Sequence, residues 1–162
     1  MKQFIGLLAI AIGSCAFIPQ QGNANPQITC NVIKISDGDT IRANCQGTIE
    51  RIRFCGIDAP EKKQELGNKS TALLKQLLSG GKVNIVAIEK DRFGRTVAEL
   101  FVGDRFINAE MVKAGLAYEY RQFSGKCPNK LQIRNAEAIA QRNKVGVWNG
   151  GNYQKPWEFR RN

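Results

Sequence analysis

The sequence predicts an α+β domain, mainly β, built as a small five-stranded barrel with about three helices appended. Three observations predict it. Short apolar runs separated by Asp-Gly and Gln-Gly turn signals fill residues 28–57. Two more such runs follow a single helical stretch, and helical periodicity then takes over in the last third. The chain has 162 residues, of a length for one core, with 43% hydrophobic and 23% charged residues, an ordinary globular balance.

The elements follow in order. Residues 28–36 carry Ile28, Val32, Ile33 and Ile35 and read as a strand. Asp37-Gly38 is a two-residue hairpin signal, and residues 40–44 form the returning strand. Gln46-Gly47 turns the chain into a third strand over residues 49–57, which Pro60 stops. Residues 62–68 are polar and loop-like; residues 70–78 place Leu73, Leu74, Leu77 and Leu78 at helical spacing, ended by Gly80-Gly81. Residues 83–88 and 96–102 are the fourth and fifth strands, joined through Asp91-Arg92-Phe93-Gly94-Arg95. Asn108 is placed as the N-cap of a short helix ending before Gly115, and residues 117–120 are extended. The third helix covers residues 129–143, with Ile133, Ala136 and Ala140 on one face. The tail from Trp148 reads as irregular and pinned by Trp148 and Trp157. Three strands, a helix, two strands and then helices is the order of an OB-type Greek-key barrel, and small barrels of other topologies fit it as well.

Charge and composition narrow the chemistry. Lys and Arg total 24 against 14 acids, a formal net charge of +10, which favours polyanionic partners. Histidine is absent, which excludes Ser/His/Asp and Cys/His triads and His-liganded zinc. The N-terminus reads as a signal peptide over residues 1–24: Lys2, an apolar run over 4–18, Pro19, and small residues ending at Ala24. Fifteen helical residues rise only about 22 Å, short of a hydrocarbon core of about 30 Å. Residues 25–162 are then one exported domain. Cys15 follows Ile12-Gly13-Ser14, so lipid tethering is a second reading of the same segment.

Cys30, Cys45, Cys55 and Cys127 remain, an even count that predicts two disulfides in an exported chain. A two-residue turn at Asp37-Gly38 sets Cys30 opposite Cys45, within reach of a bridge, and leaves Cys55 for Cys127.

Three polar clusters lie at loops or strand ends of the predicted barrel: Asp37-Gly38-Asp39-Thr40, Arg53 through Glu61 and Asp91 through Arg95. Each alone has a bland reading as a turn. Together they offer oxygen donors suited to a hard cation (Asp39, Asp58, Glu61) and guanidinium forks matched to phosphate (Arg53, Arg95). That set suits metal-assisted phosphodiester hydrolysis. Arg53 and Asp58 are five apart, on opposite faces of a straight strand, so bends at Gly56 and Pro60 must bring them together.

The run DGDT, then RFCGIDAPE, then DRFGR, with Gly115-Leu116-Ala117, Val147-Trp148 and Pro156-Trp157-Glu158, resembles the thermonuclease, or staphylococcal nuclease-like, family over roughly residues 28–160. The resemblance implies an OB-fold nuclease that uses calcium to hydrolyse DNA and RNA. It implies Asp39, Asp58 and the backbone carbonyl of Ala59 as calcium ligands, where the founding member has threonine at the last position. It implies Glu61 as the base toward water, Arg53 and Arg95 as the phosphate-holding arginines, and Tyr118 and Tyr120 beside the nucleotide. The loop between Glu61 and Ser70 is shorter than in the founding member. The expected protein is a monomer with DNA and RNA as partners, leaving 3′-phosphate ends. Two other readings compete: a non-catalytic nucleic-acid-binding OB module, and a basic exported adhesion protein.

Overall fold

The computed structural model describes residues 26–161, so the expected signal peptide and Cys15 lie outside the described residues. Strands β1 (Gln27–Ile35), β2 (Thr40–Cys45) and β3 (Thr48–Phe54) form an antiparallel meander. Strands β5 (Lys82–Lys90) and β6 (Thr96–Val102) form a hairpin against the other edge of β1, and the two-residue β7 (Arg105–Phe106) pairs with the end of β6. A parallel pairing of β3 with β6 closes the sheet into a five-stranded barrel, the topology expected of an OB fold. Closure removes the free edges that an open sheet of this length would expose.

Alternation along the strands fills the interior. Ile41 and Ala43 of β2, Ile52 and Phe54 of β3, Val83 and Ile85 of β5, and Ala98 and Leu100 of β6 are buried. Helix α1 (Gly67–Leu77) starts earlier than the leucine spacing indicates and adds Leu74 to this core, with Leu78 just beyond its end. Helices α2 (Ile107–Lys113) and α4 (Lys130–Asn143) pack on each other; the predicted face of α4, with Ile133, Ala136 and Ala140, is the buried one. Two four-residue helices, α3 (Arg121–Ser124) and α5 (Pro156–Phe159), complete the chain. Among the described residues, no helix is long and apolar enough to cross a membrane.

Three local expectations are corrected. The third strand does not run to residue 57. It ends at Phe54, the chain bends at Cys55-Gly56, and Ile57–Asp58 (β4) pairs with Tyr118–Glu119 (β8) in a separate ribbon. Asn108 is not an N-cap: α2 begins after Phe106 without a side-chain cap. The buried Asn108 amide instead accepts from the Leu100 N–H at 3.0 Å and donates to the Cys55 carbonyl at 2.9 Å, stitching β6 to the β3–β4 bend. The first hairpin turns through three residues, with Ser36 N–H bonded to the Thr40 carbonyl at 2.9 Å. One extra residue at a bulge between Val32 and Lys34 offsets the longer turn, so Cys30 still faces Cys45. The bridges Cys30–Cys45 and Cys55–Cys127 are both formed, a feature of proteins from oxidising compartments.

Candidate active site

The first hairpin turn folds down onto the start of α1. An added Cβ on Gly38 would lie 1.8 Å from Ser70 Oγ and 2.8 Å from Ala59 Cβ, so only glycine lets the turn approach this closely. That approach buries Asp39. Its Oδ2 accepts the Ala59 N–H at 2.6 Å and its Oδ1 accepts the Thr40 hydroxyl at 3.0 Å. Asp37 caps the turn by accepting the Asp39 N–H at 3.1 Å.

Arg53 lies beside this turn because β3 pairs it with Thr40. Gly56, with φ of 72°, supplies the bend that carries the chain back to Asp58. The expected convergence occurs: Arg53 Nη2 donates to Asp58 Oδ1 at 2.7 Å, and Arg53 Nη1 stands 2.8 Å from Asp39 Oδ2. One guanidinium thus joins two carboxylates, of which Asp58 is fully buried. Nη1 is close to Asp39 as an ion pair, yet it is buried with no hydrogen-bond acceptor among the described residues, because its N–H directions miss the carboxylate.

Glu61 is half-buried beyond Pro60, its backbone N–H held by Gln64 Oε1 at 2.8 Å. Its carboxylate accepts from Arg160 Nη1 at 2.7 Å. The same guanidinium engages Asp58 with two bonds, Nη1 to Oδ1 at 3.1 Å and Nη2 to Oδ2 at 2.7 Å. Arg160 was absent from the expected set. It arrives at the C-cap of α5, a helix fixed by Trp157 stacked on Tyr120 at 5.1 Å and set edge-on to Tyr118 at 5.6 Å. The local signals for it are Pro156 at the first position of a helix and the aromatic residue that follows.

Arg95 makes no hydrogen bond with Asp39, Asp58 or Glu61. Its Nε donates to Asp91 Oδ2 at 2.7 Å within the β5–β6 turn, and its guanidinium lies 5.5 Å from the centre of the exposed Phe93 ring. The barrel closure pairs Arg53 with Val97, two residues along from Arg95, so the two arginines share a face of the sheet. Tyr118 pairs with Asp58 across the β4–β8 ribbon, but its ring is buried against Trp148 and Trp157. Burial first, then the charges of Glu158, Glu137 and Tyr153, push its phenol up to about 12. Tyr120 is more accessible, with one face taken by Trp157 and Phe123 at its side.

The field of the site is finely balanced. Burial, followed by the neighbouring Asp39 charge, pushes Asp37 up to about 6. Burial also raises Asp58, against the opposing pull of Arg160 and Arg53. Among the described residues, no group of three or more His, Cys, Asp or Glu side chains is arranged to hold a metal ion. A cation at this place would rest on the two carboxylates of Asp39 and Asp58 and on neutral oxygens. That donor set is all oxygen, as a hard cation such as calcium requires, and the guanidiniums on these carboxylates show that the place accepts positive charge.

The family model for the staphylococcal nuclease homologue matches residues 51–150 of this chain. An uncharacterized endonuclease of Haemophilus influenzae is 40% identical over 134 residues, spanning 82% of this chain and 73% of its own. A micrococcal nuclease of Shigella flexneri is 35% identical over 139 residues, 80% of this chain and 79% of its own. A staphylococcal-like nuclease of Arabidopsis thaliana is 32% identical over 112 residues, 69% of this chain and 32% of its own. The chain belongs to the staphylococcal nuclease family.

Proposed function

We propose that this chain is an exported, calcium-dependent nuclease that hydrolyses phosphodiester bonds of DNA and RNA with little sequence preference. The observation that carries the reading is the buried Arg53 Nη1, which is ion-paired with Asp39 at 2.8 Å yet has no hydrogen-bond acceptor among the described residues, on a guanidinium whose Nη2 holds Asp58. A phosphate oxygen is the acceptor that such a guanidinium fork fits. The relatives named as endonuclease and micrococcal nuclease support the same activity. The two disulfides support an oxidising compartment, and the signal-peptide pattern read in residues 1–24 agrees with export to it.

Asp39, Asp58 and the Ala59 carbonyl would hold the calcium, which supplies Lewis acidity toward a non-bridging phosphate oxygen. Glu61 orients a water molecule and takes its proton as the water oxygen bonds to phosphorus. The bond from phosphorus to the 5′ oxygen breaks, the proton passes to that oxygen, and a 3′-phosphate end remains. Arg53 and Arg95 neutralise the charge that builds on the phosphoryl oxygens, worth about 3–4 kcal/mol per preorganised donor. Asp58 is fully buried, which keeps these interactions strong.

The test is cleavage of DNA and RNA in a substrate-impregnated gel, with calcium or with chelator. Cleared bands in calcium that vanish with chelator are expected. Clearing in excess chelator contradicts the calcium requirement, and retarded but uncut nucleic acid favours a binding module.

A further inference from the structure

Three cations line up across the outside of the barrel, beside the cluster described above. Lys34 on β1 pairs with Arg42 on β2, and Arg42 pairs with Arg51 on β3. Directly paired strand residues project to the same face, and all three are exposed. None forms an ion pair with any described residue. Other cations near this barrel do: Lys90 on β5 reaches Glu50 on β3, and Lys126, in the loop after α3, reaches Glu89 on β5. Like charges set directly opposite each other weaken a sheet. The stability of the barrel therefore gives no reason for this row.

Its position gives one. The next pair on the same face of that ladder is Thr40 with Arg53, so the Cα of Arg51 lies about 7 Å along β3 from that of Arg53, whose guanidinium serves the site. With strands about 4.8 Å apart, the row extends roughly 10 Å across β3, β2 and β1. A single small anion needs no such row; an extended polyanion that continues past the reacting phosphate does.

We propose that Lys34, Arg42 and Arg51 form a subsite that tracks the sugar–phosphate backbone of a polynucleotide leading away from the Arg53 site. The subsite rests on the nuclease reading of that site. It sets substrate length preference: chains long enough to cross the sheet gain contacts that a single-phosphate substrate cannot make. The contacts are to phosphates, so they carry no sequence preference and weaken with salt.

The triple variant K34Q/R42Q/R51Q tests this, since exposed positions on strand faces tolerate glutamine. Three substrates separate the outcomes: a nitrophenyl phosphodiester of thymidine, a fluorescent 30-nucleotide single strand, and vesicles of phosphatidylserine. The KM for the 30-mer is expected to rise about tenfold with kcat held, while kcat/KM on the nitrophenyl ester moves less than twofold. In chelator, the dependence of log K on log salt for the 30-mer is expected to become shallower by about 2, from three contacts at about 0.7 each. Removing the like-charge row is expected to leave the melting temperature in nucleic-acid-free buffer equal or higher. An unchanged salt slope and KM overturn the subsite, as does loss of vesicle binding with 30-mer binding intact. Because binding in chelator needs no turnover, a shallower slope in a protein that never cuts would retain the subsite and refute the nuclease reading instead.

Discussion

Removing the two disulfides one at a time tests how the site strand is tied into the fold. Cys30–Cys45 closes 15 residues and Cys55–Cys127 closes 72. In the chain-entropy model these loops restrict the unfolded chain by about 3.0 and about 4.4 kcal/mol at 25 °C. All four cysteines are buried, and each double Cys→Ala variant deletes two sulfurs, so cavity costs largely cancel in the comparison. An unfolding entropy of about 2.1 cal/mol/K per residue gives roughly 0.3 kcal/mol/K for a domain of this size. C55A/C127A is then expected to melt about 15 °C below the wild type and C30A/C45A about 10 °C below. Calorimetric melts of the three oxidised proteins at pH 7 provide the comparison. A loss for C30A/C45A equal to or larger than that for C55A/C127A would refute loop closure as the origin of the stabilisation.

Further outcomes follow from the site and its surroundings. Glu61→Gln and Arg95→Gly are each expected to lower turnover at least about a hundredfold; steady-state cleavage with circular dichroism as a fold check would expose near wild-type rates. Gly38→Ala forces the hairpin turn off Ser70 and Ala59, with an expected stability loss of about 1–3 kcal/mol and weaker calcium binding by titration calorimetry; unchanged calcium affinity would separate the turn from the site. Burial, with the Glu119 charge adding to it, raises Glu137, so the folded protein binds this proton more tightly than the unfolded chain. Its contribution is therefore complete below the unfolded value of about 4.5 and is lost as pH rises through the higher folded value. Glu137→Gln is expected to be better tolerated at pH 7 than at pH 4 in urea titrations, and equal effects at both would contradict the shift.

The barrel was legible because its strands alternate cleanly and its turns carry Gly and Asp at their tips. The pairing of Cys30 with Cys45 was right for an incomplete reason: a longer turn and a bulge at Ile33 cancel, and neither has a residue signature strong enough to read. The break after Phe54 was hidden because Ile57 continues the apolar run, and only the left-handed Gly56 separates the two strands. Asn108 resembles a helix cap locally, but its amide serves backbone groups of the preceding strand β6 and the Cys55 carbonyl, 53 residues away. Within the site, Arg53, Asp39, Asp58 and Glu61 were legible as a set from residue type and motif. Arg160 was not, since 102 residues separate it from Asp58 and it is one of 24 Lys and Arg residues. Tyr118 was expected beside a nucleotide; the structure packs its ring among tryptophans that the sequence places in the tail.

The central claim is that the acid–guanidinium cluster around Arg53 hydrolyses phosphodiester bonds. Its most direct measurement is the time course of a 5′-labelled DNA strand with the purified, disulfide-bonded protein, in calcium and in chelator, with product ends identified by mass spectrometry. Fragments ending in 3′-phosphate that accumulate only in calcium are expected. A strand that is bound but remains intact in calcium, with the protein folded and oxidised, would contradict it.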